Sequence, residues 1–150
     1  MPRRELKSGK QVADWLTELG ASLKAAGDMT LIGSAALLWH AHDRGLHEEL
    51  PEASMDVDPV TQSEEVAGHC YEALIGSEFE RTHGWHVNLM PESVLQGLPL
   101  GWEQRATTRH IGNLRLTLPS ASDLLAPKLR RNEPRDRAHD EWARRIGLIG

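Results

Sequence analysis

The sequence predicts an α/β (α+β) fold, and three observations carry that expectation. Apolar residues recur at helical spacing near the N-terminus, short apolar runs lie between glycine and proline breaks in the middle, and a Gly-Asn pair joins two alternating segments ahead of a helical C-terminal third.

Each element follows from local chemistry. Ser8-Gly9-Lys10-Gln11 is a capping-box pattern, after which Val12, Trp15, Leu16, Leu19 and Leu23 recur at helical spacing up to Gly27. Met29-Thr30-Leu31-Ile32 suits a buried strand and runs straight into Gly33-Ser34 and the apolar Ala35-Ala36-Leu37-Leu38-Trp39, which spells strand, turn, helix. Residues 44–52 are charged and contain Gly45 and Pro51, hence a loop, and residues 54–60 give the next strand. Thr61-Gln62-Ser63-Glu64 is a second capping box, with Val66, Cys70, Ala73 and Leu74 marking the buried stripe of a helix that ends near Gly76. Trp85-His86-Val87-Asn88-Leu89-Met90 alternates as a strand stopped by Pro91. Beyond a loop broken by glycine and proline, residues 107–111 and 114–118 flank Gly112-Asn113, a hairpin signal. One helix starts at Ser120-Ala121-Ser122-Asp123 and another at Pro134, continuing through Ala138, Trp142 and Ile146. Pro127 conflicts with the first of these. Inside a helix it removes a backbone bond and clashes with the preceding turn at a cost of about 3 kcal/mol, which predicts a kink or a restart.

Size and composition set limits. At 150 residues and 16.7 kDa the chain fits one domain, residues 1–150, of a length that buries about 70% of its unfolded surface. The single cysteine, Cys70, excludes a disulfide framework and a multi-cysteine zinc site, and points to a reducing compartment. No apolar run approaches about 18 residues, and Met1-Pro2-Arg3-Arg4-Glu5-Leu6 has no apolar stretch behind its charges. A soluble, cytoplasmic protein with no membrane partner is the expectation. No repeat, low-complexity tract or linker stands out, and an end at Leu148-Ile149-Gly150 leaves open whether the chain is the front of a longer protein. The net charge of -5 is uneven: residues 11–127 carry 17 acids and 6 bases, whereas residues 1–10 and 128–150 together carry 11 bases and 5 acids. Arg130, Arg131, Arg135, Arg137, Arg144 and Arg145 could contact phosphates of a nucleotide or an RNA. With Glu133, Asp136, Asp140 and Glu141 interleaved, they also fit a solvated helix surface.

Chemistry concentrates in two places. Asp56-Val57-Asp58 lies on an expected strand, where alternate side chains share a face about 7 Å apart, so both carboxylates can reach one ion cluster while Val57 enters the core. The same spacing also occurs on solvated strand faces. Gly33-Ser34, at the start of a helix, presents free backbone N–H groups and a positive dipole end to an anion such as phosphate, or serves as a plain helix cap.

In chain order, Leu31-Ile32-Gly33-Ser34-Ala35-Ala36-Leu37, Ser54-Met55-Asp56-Val57-Asp58, and Ser122-Asp123-Leu124-Leu125-Ala126-Pro127-Lys128-Leu129 followed by Pro134-Arg135-Asp136 resemble the polymerase-β-like nucleotidyltransferase superfamily. Within it the likeness is to the AbiEii type of toxin-like bacterial nucleotidyltransferases, over roughly residues 28–140. The resemblance implies a mixed β-sheet flanked by helices, with C-terminal helices. It implies that Gly33 and Ser34 hold the triphosphate tail of an NTP and that Asp56 and Asp58 are catalytic ligands of Mg2+ in a paired-metal site. Lys128 matches a lysine of the late helix that touches phosphate, and Asn88, Arg135 and Asp136 fall at substrate-binding positions. Asp136 and Asp140 correspond to a late acidic position of the family, although Arg135-Asp136 also reads as a local ion pair. The implied activity moves a nucleotidyl group from an NTP to an RNA or protein hydroxyl, with a toxin role and an antitoxin protein as partner.

Three departures bear on that activity. Asn88 stands where the family usually has a third carboxylate, and an amide brings neither charge nor proton acceptance. Ala53 replaces a frequent arginine, and the gap from Ser34 to Asp56 is longer than usual. Asp123 and Glu92 are the candidates to replace the missing carboxylate, and a pseudoenzyme that binds nucleotide or a partner is the alternative function. His40 and His42 are spaced wrongly for a shared helical metal site, His86 shares a strand face with Asn88 and so neighbours the site, and His83 precedes that strand. Cys70 reads as core, and the tryptophans at 15, 39, 85, 102 and 142 as core anchors, with Trp85 and Trp102 as candidates for base stacking. No G-x-S-x-G, P-loop or H-E-x-x-H motif occurs.

Overall fold

Helix α1 (Gly9–Ser22) begins where Gln11 Oε1 accepts the Ser8 backbone N–H at 3.0 Å, the return arm of the capping box, and it buries Val12, Trp15, Leu16 and Leu19. The structure, a computed structural model, describes residues 5–51, 54 and 56–149. Strand β1 (Gly27–Ile32) leads directly into α2 (Gly33–Asp43), whose residues from Ser34 to Ala41 are all buried. An apolar helix of this kind belongs in the centre of a fold. Strand β2 (Asp56–Val60) follows the loop, and α3 (Glu64–Tyr71) follows β2.

The cap of α3 is Ser63, whose Oγ accepts from Val66 N–H at 3.2 Å. Thr61, two residues earlier, is diverted: its hydroxyl donates to the Asp28 carbonyl at 2.5 Å. A short α4 (Glu78–His83), capped by Ser77, buries none of its residues, so no apolar stripe in the sequence announces it. Strand β3 is reduced to His86–Val87. The extended pairing expected through Met90 survives as separate bonds, Asn88 N–H to Val57 O at 2.7 Å and Met90 N–H to Pro59 O at 2.9 Å. A 3-10 segment (Glu92–Gly97) and α5 (Trp102–Arg105) occupy the stretch expected to be loop. The hairpin β4 (Thr107–Ile111) and β5 (Leu114–Leu118) falls at the expected residues. Its turn docks on the end of α1, where Asn113 N–H bonds to Gly20 O at 3.1 Å and Asn113 Nδ2 to Leu23 O at 2.8 Å.

Helix α6 (Ala121–Arg131), capped by Ser120, runs through Pro127 without a restart. Leu124, Leu125 and Lys128 are buried around the proline, and packing of α6 on α2 and on α7 (Pro134–Arg145) offsets the missing backbone bond. Asn132 closes α6 in the left-handed region at φ 54°, and Pro134 opens α7 at its first turn, which makes the corner between them sharp.

Among the described residues the sheet has five strands in the order β3-β2-β1-β5-β4. Pairs β1·β2 and β4·β5 are antiparallel and pairs β1·β5 and β2·β3 parallel, so the sheet is mixed and flanked by helices. Apolar side chains from α1, α2, the strands, α6 and α7 form one continuous core cluster. Among the described residues no helix is long and apolar enough to cross a membrane.

Candidate functional site

The antiparallel register of β1 and β2 sets Ile32 opposite Asp58, which brings the turn into α2 against the second aspartate. Gly33 takes φ +77°, and a Cβ there would lie 2.5 Å from Asp58 Oδ2. Glycine is therefore needed both for the backbone angle and for the close approach. Among the described residues no side chain caps α2. Its first N–H groups and the positive end of its dipole are left to whatever occupies the space in front of them. Along β2, Asp56 and Asp58 share the face toward that space while Val57 is fully buried between them.

That space is a cleft of about 380 Å³, and Gly33, Ser34, Asp56, Asp58, Asn88, Lys128 and Arg135 all line it. The sharp corner between α6 and α7 supplies the last two. Asp136 does not line the cleft. It lies behind the wall at 2% exposure, where its Oδ1 accepts from Arg131 at 2.9 Å and sits 3.9 Å from Lys128 Nζ. The Arg131 contact, five residues apart across the corner, takes the place of the Arg135-Asp136 pair that adjacency suggested.

The two walls differ electrically. Burial, and then the neighbouring Asp56, push the Asp58 carboxyl up to about 6, against the pull of the Asn88 amide, which donates to Asp58 Oδ1 at 3.3 Å. Burial lowers the Lys128 amine while Asp136 works to raise it. Burial also works to raise Asp136, but the hydrogen bond and charge of Arg131, with Lys128, outweigh it and hold the carboxyl below its usual range. Behind Ser34, Lys128 Nζ donates to Ser34 Oγ at 3.2 Å, and His139 Nδ1 lies 3.4 Å from each.

Sequence reasoning missed three parts of this arrangement. Ser54 lines the cleft and donates to Asp56 at 3.3 Å to the carbonyl and 3.4 Å to Oδ1. An apolar half, made by Met90, Val94, Leu98, Leu124 and Pro127, faces the polar one. His139 was the third, and its signal was a polar residue set within the buried stripe Asp136, His139, Trp142 and Ala143 of α7.

Other candidates lie elsewhere. Asp123 is engaged by Arg105 through two bonds of 2.9 Å and by Ser120, and the Arg105 bond holds its carboxyl below the usual range. Glu92 is exposed and accepts from Gln62 at 2.8 Å. Neither lines the cleft, so neither stands in for a third carboxylate there. Asp140 accepts from Arg144 at 3.1 Å, outside the cleft. His86 is an exception, standing opposite Asp56 in the β2–β3 register with its Nδ1 paired to Glu80 at 2.7 Å, whereas His83 stacks on Phe79 and buried His40 contacts the Pro119 carbonyl at 2.7 Å. All five tryptophans are buried and none of them, Trp85 and Trp102 included, lines this cleft, and burial pushes the Cys70 thiol up to about 12. Ala53 and Met55 lie outside the described residues. Of the arginines near the C-terminus, Arg131 and Arg135 reach the cleft, whereas Arg130 and Arg137 bond to the carbonyls of Gly97 and Asn132.

Among the described residues no group of three or more His, Cys, Asp or Glu could hold a metal ion by itself. Two carboxylates, one of them raised by burial and then by its neighbour's charge, nevertheless fit a hard divalent cation that keeps water and phosphate oxygens in its shell. A family model described as nucleotidyltransferase of unknown function (DUF6036) matches residues 10–146. No curated protein and no solved structure matches the chain. With a mixed sheet, a glycine-serine turn and two strand aspartates meeting in one cleft, and with that model spanning most of its length, the chain belongs to this family of nucleotidyltransferases of unknown function.

Proposed function

We propose that the chain is a magnesium-dependent nucleotidyltransferase that moves a nucleotidyl group from an NTP to a hydroxyl of RNA or protein, as the toxin of a toxin–antitoxin pair with an antitoxin protein as partner. The observation that carries the catalytic part is the meeting, in one cleft, of Asp56 and Asp58 with the uncapped start of α2 and with Lys128. The toxin role rests on the sequence resemblance to the AbiEii type.

In this reading Asp56 and Asp58 hold Mg2+ together with the phosphates of the nucleotide, and the bound ion supplies charge neutralisation at the reacting phosphate. The N–H groups of Gly33 and Ser34, with Lys128 and Arg135, hold the polyphosphate tail and keep it in line for transfer. The apolar half of the cleft takes the base. An acceptor hydroxyl oxygen bonds to the α-phosphorus, the bond from that phosphorus to the oxygen bridging to the β-phosphate breaks so that pyrophosphate leaves with that oxygen, and the hydroxyl proton passes to solvent water.

A second reading, a nucleotide-binding module without turnover, is favoured by Asn88, whose amide occupies the position beside Asp58 at 3.3 Å. Incubation with labelled NTPs, magnesium and total RNA separates the two. Label transfer that disappears in Asp56→Ala and on chelation is the expected result for the enzyme, and nucleotide binding with no transfer is the result for the module. In the second case Asn88→Asp is expected to restore transfer, and absence of both transfer and binding would sink both readings.

A further inference from the structure

His139 is wholly buried, does not line the cleft, and yet touches two residues that do. Its Nδ1 is 3.4 Å from Ser34 Oγ and 3.4 Å from Lys128 Nζ, while Lys128 reaches Ser34 at 3.2 Å. The three atoms close a triangle directly behind the start of α2. Burying an imidazole costs free energy unless its nitrogens are used, so its place in the buried stripe of α7 gives its contacts with Ser34 and Lys128 weight.

We propose that His139 is a positioning residue for polyphosphate binding: its Nδ1 receives the Ser34 hydroxyl hydrogen in the free protein and releases it to a phosphate oxygen when ligand arrives. The inference rests on reading the cleft as a polyphosphate site. Counting donors leads to it. The Lys128 ammonium has three hydrogens and no acceptor. Ser34 Oγ takes one of them, His139 Nδ1 is in place for another, and the Asp136 carboxylate stands 3.9 Å away on the side of the third. Because Ser34 Oγ accepts from Lys128, its own hydrogen must go to Nδ1 or forward to a ligand. Nδ1 has a single lone pair, so it serves Ser34 or Lys128 but not both well at once. When a phosphate oxygen takes the serine hydrogen, the lone pair passes to Lys128 and fixes the ammonium at the moment its charge is needed. This exchange requires the ring hydrogen on Nε2, since an Nδ1–H would set two donors face to face.

Two variants and two readouts test the exchange. His139→Asn can return an acceptor near the place of Nδ1, and His139→Leu removes it. Affinity for magnesium ATP and for inorganic tripolyphosphate is measured alongside thermal melting, and the tautomer of His139 is read from the 15N spectrum of the wild-type protein. The expected result is about a tenfold loss of affinity in His139→Leu, the worth of one hydrogen bond to a charged group, with recovery to within about threefold in His139→Asn. The Nδ1 signal should be that of an unprotonated nitrogen and should shift on addition of tripolyphosphate. A folded His139→Leu with wild-type affinity, an equal loss in both variants, or a hydrogen found on Nδ1 overturns the proposal. Should neither variant fold, the wild-type spectrum alone decides. A wild-type protein that binds neither probe overturns the polyphosphate reading itself, and the Nδ1 signal then reports separately whether the triangle exists in the free protein.

Discussion

The two polar walls of the cleft carry opposite charge and are built on opposite principles. On the sheet side, Asp56 and Asp58 sit side by side with the Ser54 hydroxyl and the Asn88 amide as hydrogen-bond partners, and burial and then Asp56 push Asp58 up to about 6. On the helix side, Lys128, Arg131 and Asp136 compensate one another, with Ser34 and His139 completing the set. The helix wall is settled without a ligand. The sheet wall keeps a carboxyl raised by burial and by a neighbouring acid, and such a perturbed group at a cleft marks a candidate for chemistry rather than for holding the fold.

The comparison breaks most visibly at Asp136. Replacing it by alanine leaves buried Lys128 without its counter-charge, and the expected loss is about 4 kcal/mol of stability, read by urea unfolding at neutral pH. A loss under about 1 kcal/mol would mean that the helix wall does not depend on internal pairing.

Asp58 sharpens it from the other side. Its carboxyl lies near 3.8 in an unfolded chain and is raised to about 6 in the folded one by burial and Asp56. The folded state therefore binds the extra proton in that window. The stability this confers is complete below about pH 4, fades as pH rises through about 6, and amounts to roughly 3 kcal/mol. Asp58→Asn should flatten this part of the pH profile and be the more stable protein above about pH 6, while magnesium-dependent nucleotide affinity drops more than about 100-fold. If both proteins lose stability in parallel across that window, Asp58 is not the strained group.

Arg135 gives the smallest effect. It lines the cleft on an exposed first turn of α7, and none of the hydrogen bonds or ion pairs described above involves it. Arg135→Ala should leave stability within about 0.5 kcal/mol of wild type and weaken tripolyphosphate binding about tenfold, less so at high salt. A stability loss comparable to that of Asp136→Ala would place it in the self-paired wall instead.

What could be read from the sequence followed how local the cause was. The β4–β5 hairpin around Gly112-Asn113 was legible to the residue because turn chemistry acts over a few bonds. The pairing of Asp56 with Asp58 was legible because the strand period is two. Helix α4 was silent because it buries nothing, and the cap of α3 was misplaced because Thr61 bonds to Asp28, 33 residues away. Strand β3 shrank because it has a partner on one side only and most of its pairing is irregular. His139 was out of reach because its partner Ser34 is 105 residues distant, and no spacing rule spans that interval.

The pairing of Ile32 with Asp58 has one more consequence. Because the hydrogen-bond ladder fixes where the aspartates stand relative to the glycine-serine turn, the exposed part of the connection between α2 and β2 does not set that distance, whereas Ser54, bonded to Asp56, belongs to the site. Doubling a flexible loop costs only about 0.6 kcal/mol. The exposed residues 47–49 are thus a place where extra sequence, a tag or new chain ends can be accommodated while the two aspartates keep their position against the glycine-serine turn.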